Sequence, residues 1–114
     1  MSGQVSQASG RVMVAPVVLA RLVGLALSEV PGVARAGRPP RSSLLSATVS
    51  GGVAVRPSEH GATIDCYVIA RPDTNLLELG ATIQATVAAV CRELAGAPAG
   101  EVNVYIQDVE TGRG

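Results

Sequence analysis

In the stretch ATIDCYVIA, Ala62 to Ala70, an aspartate stands beside a cysteine, Asp65-Cys66, and the chain's single histidine, His60, lies a few residues upstream. A cysteine nucleophile needs a base within hydrogen-bond reach to draw off its proton. The stretch alternates as a β-strand does, and neighbours in a strand point to opposite faces. Ile64, Cys66, Val68 and Ala70 therefore share an aliphatic face, while Thr63, Asp65, Tyr67 and Ile69 share the other. Asp65 points away from the thiol, and His60 falls in a hairpin loop. The second cysteine, Cys91, falls on the aliphatic stripe of a helix. Thiols buried among aliphatic side chains hold raised pKa values and are inert, so no catalytic residue is assigned and the chain is read as not an enzyme. One His and two Cys at unrelated spacings make no zinc site, and the glycine motifs that cradle phosphates or dinucleotides are missing. No metal and no cofactor is expected.

Binding is the remaining class. Arg35, Arg38 and Arg41 are spaced by three around Pro39-Pro40, a pattern that can meet phosphates, anionic head groups or an acidic partner; equally, such charges keep a loop soluble. With Arg21 they make the candidate partner-binding set. Tyr67 and Tyr105 are the only aromatic side chains and could share one outer sheet face. That arrangement leaves an RNA-binding domain as the alternative function. Stacking readers of nucleic acid usually set several aromatics in a basic groove, whereas Asp65 and Asp108 sit on the strands that carry these tyrosines and the formal net charge is zero. Nucleic acid is disfavoured.

The elements that must position these residues follow from periodicity. Val12 and Val14 suggest a short first strand from Gly10 to Val14. Pro16 suits the first turn of a helix, which runs to about Glu29 before Pro31-Gly32. That helix is apolar nearly all round, with only Arg21 and Glu29 charged. A helix on a sheet needs only a stripe, so its far side meets either the second helix or another chain. From Ala34 to Gly52 the periodicity is lost and Gly, Pro, Ser and Arg collect, as in a long connection, tied down partway by Leu44, Leu45 and Val49. Strands are expected at Val53–Arg56 and Ala62–Ala70 around the hairpin PSEHG. A second helix follows, capped by Asp73, Thr74 or Asn75 and carrying Leu76, Leu79, Ile83, Val87, Val90, Cys91 and Leu94 on one face. A last strand spans Glu101 to Val109. The expected fold is α+β: a two-layer β-α-β-β-α-β domain with two helices on one face of a mostly antiparallel sheet. Residues 1–9 are expected to be a flexible N-terminus, 10–110 a single domain that includes the 34–52 connection, and 111–114 a tail.

At 114 residues the chain is one domain, with a core that Val, Leu, Ile and Ala must build, since Trp and Phe are absent. All nine basic residues are Arg. Six of them fall between Arg11 and Arg56 against one acid, and three fall after Pro57 against eight acids. These halves can attract each other within one fold or between copies, or can simply solvate different edges. The run VMVAPVVLARLVGLALSEV is divided by Pro16 and Arg21, short of the ~20 residues a span needs. The chain is therefore expected to be cytoplasmic without a membrane span of its own.

Four stretches together resemble the alkaline shock proteins, also called envelope stress response proteins, of Gram-positive bacteria: GRVMVAPVVLARLVGLALSEVPGV (Gly10 to Val33), GVAVRPSEHGATIDCYVIA (Gly52 to Ala70), IQATVAAV (Ile83 to Val90) and EVNVYIQDV (Glu101 to Val109). The resemblance implies a non-enzymatic stress-response protein acting as a membrane-proximal scaffold or adaptor. It also implies self-association, a membrane-anchored protein partner, and a place at the inner face of the cell membrane through that partner. It supplies no catalytic residue to carry over. The connection and the absence of Lys depart from the family pattern.

Overall fold

In the computed structural model, residues 9–10, 12–59, 61–96 and 99–111 are described. Helix α1 (Pro16–Ser28) leads into β1 (Val33–Ala36), the single turn α2 (Ser43–Ser46), β2 (Thr48–Ser50), β3 (Val53–Ser58), β4 (Gly61–Ala70), α3 (Leu76–Leu94) and β5 (Glu101–Val109). The α+β class, the two long helices on one sheet face and the mostly antiparallel sheet are as the periodicity indicated. The element order is not.

β4 is the central strand. One of its edges pairs in parallel with β5, from Thr63↔Glu101 to Ala70↔Val109. Its other edge is shared end to end by two antiparallel strands, β3 against Gly61 to Cys66 and β1 against Val68 to Ala70. Tyr67 is where the neighbour changes: its N–H donates to the Gly52 carbonyl at 2.8 Å, and its carbonyl accepts from the Gly37 N–H at 2.7 Å. Gly37 and Gly52 thereby close a loop whose two ends meet on one residue. A β-carbon on Gly52 would lie 2.5 Å from the Tyr67 carbonyl oxygen, and one on Gly37 would lie 2.9 Å from the Tyr67 carbonyl carbon.

This closure corrects two expectations. The 34–52 stretch is not a bare connection but supplies β1, α2 and β2, strands of 4 and 3 residues. Strands that short complete at most two cycles of the two-residue alternation, too few to stand out in the sequence, and they exist because β4 and β3 offer edges to add to. Leu44 and Leu45 do not anchor the segment, being 64% and 92% exposed. Conversely, no strand forms at residues 12–14, which are irregular, and Arg11 lies outside the described residues. Both edges of β4 are already filled, so the sheet offers Val12 and Val14 no central slot. The expected flexible N-terminus (1–9) and tail (111–114) fall almost wholly outside the described residues.

The core lies between the helices and the inner sheet face. Ile64, Cys66, Val68 and Ala70 of β4 meet Ala20, Val23 and Leu27 of α1 and Leu79, Ile83, Val87 and Cys91 of α3. Pro16 starts α1, as its missing N–H allows. Asn75 caps α3, its side-chain oxygen accepting the Glu78 N–H at 3.0 Å.

Gly52→Ala is expected to destabilise the domain by about 2 kcal/mol or more, because the clash is with backbone that cannot yield. Gly80, on α3 with no atom within 4 Å of a built β-carbon, is the contrast: Gly80→Ala is expected to stabilise by about 0.5–1 kcal/mol. Urea denaturation of the two variants beside the parent checks both signs.

Candidate partner-binding surface

The neighbours Asp65 and Cys66 part company across the sheet. Cys66 is fully buried in the core, and Cys91 is 2% exposed in the facing helix. Burial, reinforced by the charge of Asp65, pushes the Cys66 thiol up to about 12. Burial also pushes Cys91 up. Both are free thiols held in the protonated, unreactive form at physiological pH.

Asp65 faces the other way and is 3% exposed. A buried carboxylate must be paired and hydrogen-bonded, and this one is: Arg56 Nε donates at 2.9 Å, Arg56 Nη2 at 3.3 Å and Asn103 Nδ2 at 3.0 Å. The Asp65 hydrogen bond in turn raises the Arg56 pKa. The carboxylate is thus a clamp joining β3, β4 and β5, with its acceptor sites occupied by structural donors.

Beside the clamp on the same outer face, Tyr67 and Tyr105 stack with ring centroids 4.7 Å apart and planes 11° from parallel. They do share a face, as the alternation indicated. Tyr67, however, is buried, which raises its pKa against the opposing effect of the Ser43 hydroxyl. Only Tyr105 is half exposed, and each ring already stacks on the other.

The four arginines are exposed but do not form one cluster. Arg35 and Arg38 line a shallow groove of about 210 Å³ with Gly37, Ile69 and Gln107. Arg35 is ion-paired to Glu110. At Arg38 the backbone is held, not the guanidinium: its N–H donates to Gln107 Oε1 at 2.8 Å, and Gln107 Nε2 donates to its carbonyl at 2.9 Å. Arg41 precedes α2 and Arg21 sits on α1, and neither lines this groove. Gln107 escaped the sequence reading. Its signal was present, since the apolar series Val102, Val104, Ile106 jumps by three to Val109, and the register shifts there as an extra residue in a strand requires.

The over-apolar α1 resolves into two sides. Ala20, Val23 and Leu27 enter the core, while Val17, Val18 and Leu25 are 37%, 42% and 67% exposed around Arg21. α3 packs on this helix, as the first of the two explanations has it, and an apolar outer stripe is left over. Among the described residues no helix is long and apolar enough to cross a membrane, and no group of three or more His, Cys, Asp and Glu is placed to hold a metal ion.

Residues 4–111 match the sequence model of the alkaline shock protein family, described as having a cell envelope-related function. The chain belongs to the alkaline shock protein family. The likeness carried by the four sequence stretches therefore holds over nearly the whole length. No curated protein matches the chain. Among solved structures, the C-terminal domain of MamM, a point variant titled as a zinc form, superposes with a TM-score of 0.51 at 15% identity. The match covers 83% of this chain and 84% of that one, and the likeness is one of fold. The alkaline shock protein domain seen here offers exposed arginine and apolar side chains over a sheet whose buried Asp65 carboxylate is hydrogen-bonded internally.

The raised thiol has a measurable consequence. An unfolded cysteine releases its proton near ~8.5, whereas folded Cys66 holds its proton to about 12. Between those values the unfolded chain binds fewer protons, so stability falls as pH rises. From pH 8 to 10.5 the parent is expected to lose about 2 kcal/mol more than Cys66→Ala, read from urea midpoints. Thiol labelling of the native protein at pH 8 should be slow and should accelerate on unfolding.

Proposed function

We infer that this alkaline shock protein domain serves the cell envelope as a non-enzymatic scaffold or adaptor, held at the inner face of the membrane by a membrane-anchored protein partner rather than by a span of its own. The observation that carries the reading is the outer side of α1. Val17, Val18 and Leu25 stay exposed around Arg21 on a helix whose opposite side already completes the core. Folding of the domain does not require apolar residues there, and clustered exposed apolar side chains mark interaction sites. Arg38 and Arg41 add cationic reach from the 37–52 loop, and the groove at Arg35 and Arg38 is shaped by backbone that Gln107 holds in place. An acidic partner segment with apolar residues would satisfy both features.

The second class, RNA binding on the outer sheet face, has less to use: the tyrosines stack on each other and the Asp65 carboxylate occupies the nearest guanidinium, Arg56. Retardation of RNA at low salt, lost in Tyr105→Ala, would revive it.

Replacing Arg35, Arg38 and Arg41 together with Ala is expected to reduce recovery in the membrane fraction several-fold, with less than about 1 kcal/mol change in stability because all three side chains are exposed. Leu25→Asp should do the same through α1. Fractionation of cells expressing each variant, with unfolding midpoints measured alongside, is the check, and unchanged recovery for both would remove these surfaces from the adaptor reading.

A further inference from the structure

A chamber of about 130 Å³ lies between the second half of α1 and the sheet, at the place where β4 exchanges β3 for β1. Minimal side chains converge there: Gly24 of α1, Ala36 at the end of β1 and Gly52 just before β3 all line it. Leu27, Val33, Val53 and Val68 are buried around them and form its apolar walls. Gly52 has to be glycine, because it bonds to the Tyr67 backbone at a distance that leaves no room for a β-carbon. Gly24 has no such reason. No atom lies within 4 Å of a β-carbon built on it, and inside a helix glycine is less favourable than every residue but proline. Gly80 of α3 is as unconstrained, but it borders an open trough. A residue that weakens its helix and leaves a walled space empty serves neither folding nor packing, and such local violations collect at functional sites.

Size and charge define what the chamber takes. A cavity of about 150 Å³ holds a benzene ring, so this one suits an apolar body of about five or six carbons. The charged residues that line it are Arg35 and Arg71, both exposed and therefore at its mouth, and no acid lines it. Arg35 is engaged by Glu110, whereas Arg71 forms no ion pair among the described residues. The Arg71 backbone is fixed in place, its N–H donating to the Gly32 carbonyl at 2.8 Å. The Ser28 hydroxyl also lines the chamber, but its proton goes to the Leu25 carbonyl at 2.6 Å. The free donor at the mouth is thus a guanidinium, whose paired N–H groups match a carboxylate.

We propose that this chamber binds a small monocarboxylate, its compact apolar body held between Gly24 and the inner sheet face and its carboxylate on the Arg71 guanidinium. Val17, Val18 and Leu25 do not line the chamber. The site is therefore separate from the outer stripe of α1 and goes beyond the adaptor reading.

The test titrates the full chain with benzoate, and in parallel with benzyl alcohol as its uncharged counterpart, following backbone amide shifts by NMR. Benzoate is expected to saturate with a Kd of about 1 mM or below, moving the amides of Leu27, Val33, Val68 and Arg71. Benzyl alcohol should bind about tenfold more weakly. Gly24→Leu fills the chamber and should abolish saturation while leaving the urea midpoint equal or higher. If that variant does not fold, Gly24→Ala takes its place, with weakened binding expected because it occupies part of the space. Arg71→Gln, at an exposed position, should weaken benzoate about tenfold and leave benzyl alcohol unchanged. Shifts that fail to saturate by about 20 mM, or that are untouched by the Gly24 substitution, overturn the site. Equal affinity for the two probes, indifferent to Arg71→Gln, overturns the assignment of a carboxylate ligand.

Discussion

The fold turns on one backbone position, Tyr67. Its N–H and carbonyl bond to Gly52 and Gly37, so one edge of β4 serves two partner strands in succession. Everything from Arg38 to Gly51 is consequently an excursion that leaves β4, carries α2 and the edge strand β2, and returns to the same residue. The constraint is steric as well as polar, because the β-carbon of any other residue at Gly37 or Gly52 would meet the Tyr67 backbone within van der Waals distance. The arginine-bearing loop is thereby held at both ends, with Gln107 of β5 reaching across to grip Arg38.

Polar residues on the outer face follow a consistent logic. Asp65 would be costly in its buried position without donors, and it has three, drawn from β3 and β5. Arg35 meets Glu110 near the end of β5. Both ion pairs join the Arg-rich half of the chain to the acid-rich half, so part of the charge asymmetry in the sequence is answered inside one domain. The exposed Arg35–Glu110 pair contributes little to stability; the Asp65 cluster contributes mainly geometry, locking three strands in register.

The reading proposed for this alkaline shock protein domain rests on its surfaces. The two thiols and the buried carboxylate, which would be the first candidates for chemistry, are consumed by packing and by structural hydrogen bonds. Outward stand the apolar side chains Val17, Val18 and Leu25 of α1 and the arginines of the loop.

The sequence by itself determined the α+β class, the two long helices, the three longer strands β3, β4 and β5, and the opposite orientation of Asp65 and Cys66. These rest on periodicity, capping and side-chain alternation, all local properties that a run of six or more residues displays. Tertiary structure decided the rest. β1 and β2 are too short to have a periodic signature and exist because β4 and β3 present them with hydrogen-bonding edges. Val12 and Val14, with a strand's alternation, found no place because β4 had no edge left. The clamp at Asp65 and the grip of Gln107 on Arg38 link residues 9, 38 and 69 positions apart, a separation across which no local pattern carries information. Which arginines end beside one another was likewise settled by where Tyr67 changes its neighbour.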